Sequence, residues 1–151
     1  MPILNYTTSI EAIRTVGEIQ SILAKNGARR IVTEYEGEYV NALFFIIGTK
    51  SGEIAFRLPV KPAATLAVMT GDPKCPKHLC KEDQAIRVSW RIVKDWIEAQ
   101  MALIQTRQAS IEEVFLPYAL SKDGKTTLYQ SISQGGFLML NQGTENQNHE
   151  M

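Results

Sequence analysis

DQAIRVSWRIVKDWIEAQMALIQT, residues 83–106, holds both tryptophans of the chain and decides how the rest must pack. One apolar row runs Ile86, Trp90, Val93, Ile97, Ile104, and a second runs Ala85, Ile92, Trp96, Ala99, Leu103. Both advance mostly by three and four residues, the spacing of one helical face. Together they make a stripe wider than a single packing partner needs, which predicts core packing on one side and a subunit contact on the other. Trp90, Trp96, Ile97 and Leu103 are the residues this reading assigns to core or oligomer packing. The opposite face carries Arg87, Arg91, Lys94, Asp95 and Glu98.

On the amino-terminal side, Thr8-x-x-Glu11 has the form of a capping box, with Ile10, Ile13, Val16, Ile19 and Leu23 as one helical face and Asn26-Gly27 as its stop. The period then becomes two. RRIVTEY, YVNALFFIIGT and EIAFRLPV, separated by Glu36-Gly37-Glu38 and Lys50-Ser51-Gly52, predict an antiparallel meander. Its middle strand is apolar on both faces, with Val40, Ala42, Phe44 and Ile46 on one and Leu43, Phe45 and Ile47 on the other. Pro62 opens a short helix through Met69, and GDPKCPKHLCKED is a loop. Beyond the tryptophan helix, Ser110-x-x-Glu113 is a second capping box, Pro117 ends that turn, and residues 127–133 followed by Gly135-Gly136 predict a last short helix.

Strands and helices are thus segregated, which predicts an α+β fold: a three-stranded antiparallel meander packed against an N-terminal helix and a long helix in the C-terminal half. The 151 residues suffice for one domain, expected over residues 1–140. Residues 137–140 are expected to dock on the body, and the polar residues 141–151 to form a disordered tail. A sheet of three strands with helices on one face leaves the other face needing cover, by the N-terminal helix or by a second copy, and a homo-oligomer is expected.

Composition narrows the function classes. Apolar residues make up 44% and charged residues 21%, with no run long enough to span a membrane. The first fifteen residues lack a basic region followed by an apolar one, so the expected location is the cytoplasm. Sixteen basic side chains balance sixteen acidic ones, which argues against a uniformly basic nucleic-acid binder and leaves local clusters to consider.

The most compact constellation of candidate ligands is Cys75-x-x-His78-x-Cys80. A structural zinc site requires four ligands, usually as two spaced pairs, and no second pair exists, so neither metal nor cofactor is expected. Lys74, Lys77 and Lys81 could activate Cys75 or Cys80 as a nucleophile, but a base and an oxyanion donor are not visible. A small cysteine-dependent enzyme is therefore the least favoured reading. Phosphate-loop, dinucleotide-binding, nucleophile-elbow and zinc-protease signatures are absent. Glu34, Glu36 and Glu38 at a hairpin, and Glu112 and Glu113 in a first helical turn, have structural explanations.

What stands out is basic. Lys74, Lys77 and Lys81 lead into a helical ridge of Arg87, Arg91 and Lys94, a pattern that can meet phosphates at a helix amino terminus. Against it, Arg91 with Asp95 and Lys94 with Glu98 have the spacing of ordinary surface pairs. Tyr35, Tyr39 and Tyr129 are freer than the tryptophans to stack on bases.

AIRVSWRIVKDWIEAQMALIQ followed by IEEVFLPYAL resembles a set of small proteins encoded by prophages and other bacterial mobile elements. These share a tryptophan helix of this pattern leading to an E-hydrophobic-F-L-P-Y segment. The resemblance extends to residues 15–20 and to GEIAFRLP at residues 52–59, so it covers most of residues 15–120. It implies a genetic context and carries no activity with it. Members are often basic ahead of the tryptophan helix, as residues 74–81 are here, while the Cys-His-Cys pattern lies outside the shared motif. The expectation is a non-catalytic phage-type protein whose basic loop and ridge engage nucleic acid or a nucleotide-like anion. The alternative is a protein-interaction module that inhibits a host factor.

Overall fold

A computed structural model describes residues 2–137. Its elements follow in the order α1 (Ala12–Lys25), β1 (Ala28–Glu36), β2 (Tyr39–Thr49), β3 (Gly52–Arg57), α2 (Pro62–Gly71), α3 (Glu82–Gln105), α4 (Ile111–Phe115) and α5 (Leu128–Gly135), with 3-10 turns at Lys77–Leu79 and Leu116–Tyr118. The expected α+β architecture is present, with the strands in the antiparallel order β1-β2-β3. The expected tail at residues 141–151 lies outside the described residues, as does most of the expected docking patch at 137–140. Within that patch, Phe137 is described, its ring centroid 5.9 Å from that of Tyr129.

Helices α1 and α3 lie on the same face of the sheet. Val16, Ile19 and Leu23 of α1 and Trp90, Val93, Ile97 and Met101 of α3 form one core with Leu43, Phe45, Ile47 and Phe56 of the sheet. Trp90 is 0% exposed, and its indole N–H donates to the Val40 carbonyl at 3.1 Å, tying the middle of α3 to the start of β2. That carbonyl sits beside an irregularity. Glu34 pairs with Ala42 but Tyr35 pairs with Val40, so Asn41 is an extra residue in β2. Such a bulge reverses the side-chain alternation, and Val40 therefore joins the core face instead of lying with Ala42, Phe44 and Ile46, as strict alternation predicts.

The first helix departs from its expected start. No side chain caps it; Glu11 is the cap residue, and the Thr8 hydroxyl accepts a hydrogen bond from the Ile10 amide instead. The buried face is also rotated from the expected one: Ile13 faces solvent and Thr15 takes a core position. The Ser110–Glu113 box does form, and a second box joins Thr127 and Gln130. Gly136 ends α5 in the left-handed region, at φ 92°.

Among the described residues neither α1 nor any other helix covers the outer face of the sheet. Arg57 reaches Glu34 at 3.2 Å, and Arg29 reaches Glu53, each pair crossing from β3 to β1 over β2. Arg57 is the cross-strand neighbour of the partly buried Phe44, and Arg29 lies beside Ile46, so their aliphatic stems count for more here than the exposed ion pairs themselves. Among the described residues the outer edge of β1 is free; it is charged and carries a bulge at Arg29, features that oppose edge-to-edge pairing. No helix among the described residues is long and apolar enough to cross a membrane.

Candidate functional site

The ridge of α3 lies along α1. Arg91 is 14% exposed, and its guanidinium meets Glu18 at 2.5 Å and the buried Thr15 hydroxyl at 3.5 Å. Arg87 donates to Gln84 at 3.0 Å and faces Asp83 at 3.5 Å and Glu11 at 3.8 Å. Lys94, also 14% exposed, pairs with Glu98 at 2.6 Å. The expected Arg91–Asp95 pair gives way to a tertiary one, and Asp95 accepts from the Asn5 amide at 2.9 Å instead. The chain's own carboxylates thus neutralise Arg87, Arg91 and Lys94, making the ridge a seam between helices. Gln84 extends that seam by donating to the carbonyls of Tyr6 and Thr8, both at 2.9 Å, which holds the lead-in segment against α3.

The loop lysines are arranged differently. Lys74, Lys77 and Lys81 are exposed and make no ion pair among the described residues. Between them Cys75 is buried at 6% exposure and Cys80 is half-buried, with their Sγ atoms 3.7 Å apart, while His78 is exposed on the intervening 3-10 turn. Burial, then the hydrogen bond with Cys80, push the Cys75 thiol above its ordinary pKa. Among the described residues no three His, Cys, Asp or Glu side chains gather as metal ligands.

The wide apolar stripe of α3 is met largely from within the chain. Ala85 and Ile92 pack with α2 in a second small core around Met69, Cys75 and Val88. Trp96 stands edge-on to Phe115 and Tyr118, with centroids at 5.5 and 5.4 Å. Trp90 and Ile97 are fully buried, whereas Leu103 is 37% exposed. The residues of the stripe left open for another copy are thus Ala99 and Leu103 near its carboxyl end.

A cleft that no sequence motif marks lies where the β1–β2 hairpin meets the amino ends of three helices. One part, 360 Å³, lies among Glu36, Tyr39, Val40 and Asn41 of the hairpin, Pro62, Ala63 and Leu66 of α2, and Glu82 and Ile86 of α3. A second part, 290 Å³, shares Tyr39, Val40 and Ile86 and runs on to Glu11, Ala12 and Ile13 beside Glu38, Asp83 and Arg87. The floor is apolar, Tyr39 stands 47% exposed at its edge, and five carboxylates surround it. Arg87 answers Glu11 and Asp83; Glu36, Glu38 and Glu82 make no ion pair among the described residues. Three strand-and-helix junctions far apart in sequence build this site, and only the exposed hairpin tyrosine hinted at it.

No family model, no curated protein and no solved structure matches the chain.

Proposed function

We propose that the protein is a non-catalytic binding module whose partner is another protein, docked by a basic, partly apolar segment in the cleft beside Tyr39. The supporting observation is the cleft's composition. Val40, Leu66 and Ile86 offer an apolar floor, and Glu36, Glu38 and Glu82 form a rim of carboxylates that make no ion pair among the described residues. A segment alternating lysine or arginine with aliphatic side chains satisfies both, the charges guiding approach and the apolar contacts holding the complex. For a chain serving a mobile element, as the motif resemblance implies, the partner is a host factor that docking inhibits.

The test uses a fluorescein-labelled peptide of alternating lysine and leucine, followed by anisotropy at low salt. Glu36 and Glu82 are exposed, so reversing both to lysine leaves the core intact. The double reversal is expected to weaken binding by about tenfold or more, a loss of about 1.4 kcal/mol or more. Equal affinity of the two proteins, or no binding by the natural sequence, removes the proposal.

A second reading rests on the three exposed lysines at residues 74–81, a surface for nucleic acid or a nucleotide-like anion. With Arg87, Arg91 and Lys94 held by carboxylates, this version depends on the loop alone. Three phosphate contacts with a single strand give a log–log salt slope of about −2. Replacing Lys74, Lys77 and Lys81 with alanine is expected to abolish any mobility shift. A shift that survives the triple replacement, or none at low salt, excludes it.

A further inference from the structure

The loop between α2 and α3 places two thiols against each other with more constraint than its composition suggests. Pro73 and Pro76 stiffen the path, the 3-10 turn at Lys77–Leu79 folds it back, and the Cys80 Sγ comes to 3.4 Å from the Met69 carbonyl and 3.7 Å from the Cys75 Sγ. Cys75 is anchored in the small core with Met69, Ala85 and Val88, so the two sulfurs are held together by packing from both helices. A disulfide requires approach to about 2.05 Å, a short step for side chains already in contact.

We propose that Cys75 and Cys80 are a reversible disulfide-forming pair, oxidised by an anionic low-molecular-weight disulfide of the glutathione class. Cys80, the more accessible thiol, loses its proton and attacks one sulfur of the oxidant. The oxidant's S–S bond breaks, and one glutathione leaves as thiolate and takes up a proton. Cys75 then gives up its proton and attacks the Cys80 sulfur, expelling the second glutathione. Two protein thiols are oxidised to one disulfide, and one glutathione disulfide is reduced to two thiols. The pieces of the site match this sequence. Cys75 is shielded, which keeps it out of the first attack, and burial raises its pKa, which further favours Cys80 as the first nucleophile. Lys74, Lys77 and Lys81 are exposed on the same loop and outnumber its one acidic residue near Cys75, Asp72, a balance of charge suited to the carboxylates of glutathione. The closed ring ends two residues before Glu82, which lines the cleft, so oxidation stiffens one wall of that surface.

The full chain is equilibrated with oxidised and reduced glutathione in rising ratio, quenched with acid, alkylated and weighed. The expected result is a passage from a doubly alkylated chain to an unalkylated monomer lighter by two hydrogens than the reduced chain, reversed by dithiothreitol. Tryptic peptides then show residues 75 and 80 joined. Cys75→Ala is expected to stop at a glutathione adduct on Cys80. Cys80→Ser is expected to slow the reaction of Cys75 with the oxidant at least tenfold. A stable glutathione adduct on the natural sequence, a disulfide-linked dimer, or two thiols still alkylated at the highest ratio would each overturn the proposal.

Discussion

Trp90→Ala is expected to lose about half of the protein's folding stability or more, whereas Trp90→Phe is expected to keep most of it. The indole is completely buried at the centre of the core, among residues of α1, β2 and α3. Truncating so large a side chain costs about 3–5 kcal/mol, because neighbours anchored in three elements cannot collapse into the space. The Val40 carbonyl also loses its indole donor, for about 1–3 kcal/mol more. Domains of this kind have about 5–15 kcal/mol in total. Phenylalanine keeps most of the ring and loses the hydrogen bond, so it isolates the smaller contribution. Urea titration followed by far-ultraviolet circular dichroism separates the two variants. A midpoint for Trp90→Ala close to that of the natural sequence is incompatible with the packing described.

That hydrogen bond also marks the boundary of what the amino-acid sequence discloses. Local patterns read true where the cause was local: the helical spacing of Ile86, Trp90, Val93 and Ile97, the Ser110–Glu113 box, the glycine stop after α5, and the strand spans between their turns. Val40 was misplaced because one extra residue, Asn41, reverses the alternation, and nothing in YVNALFFIIGT signals where the bulge falls. Thr8 and Glu11 have the spacing of a box without its geometry, since Thr8 turns to the Ile10 amide. Arg91 illustrates the same limit for charge. Its neighbour four residues on is Asp95, but the side chain meets Glu18, 73 residues away, through the packing of α1 on α3. The expected ridge was therefore correct as a row of residues and different as a surface. The cleft was illegible for a related reason, since its walls come from α1, the β1–β2 hairpin, α2 and α3. No window of sequence contains them, and only the fold brings Glu36 and Glu82 to the same rim.

Phe115→Ala is expected to lower stability by about 3–5 kcal/mol and to open an edge of the sheet. Phe115 is fully buried although it ends a helix of only five residues, and its ring meets Phe45 and Trp96 at 5.5 Å and Phe56 at 5.8 Å. The contacts with Phe45 and Trp96 are edge-on, the arrangement that ring quadrupoles favour, each adding about 0.5–1.5 kcal/mol beyond burial. This side chain is the most deeply buried attachment of α4 to the core of β2, β3 and α3, which Ile111 and Val114 also touch. The segment that follows has a second task. The Leu120 amide donates to the Ala55 carbonyl at 2.8 Å, and Ala119 bridges Phe56, so residues 119–120 occupy the outer edge of β3. Without Phe115 that cover keeps only the Trp96–Tyr118 contact and the packing of Ala119 as anchors, and where it loosens β3, unlike the bulged and charged β1, presents unpaired amides beside Ile54 and Phe56. The expected signature is therefore double: an earlier urea midpoint, and concentration-dependent light scattering well below the concentration at which the natural sequence associates. Phe115→Leu, which keeps most of the volume, is expected to recover most of the stability and suppress the scattering. If the alanine variant loses less than about 1 kcal/mol, α4 is a peripheral element and the edge of β3 is protected by some other means.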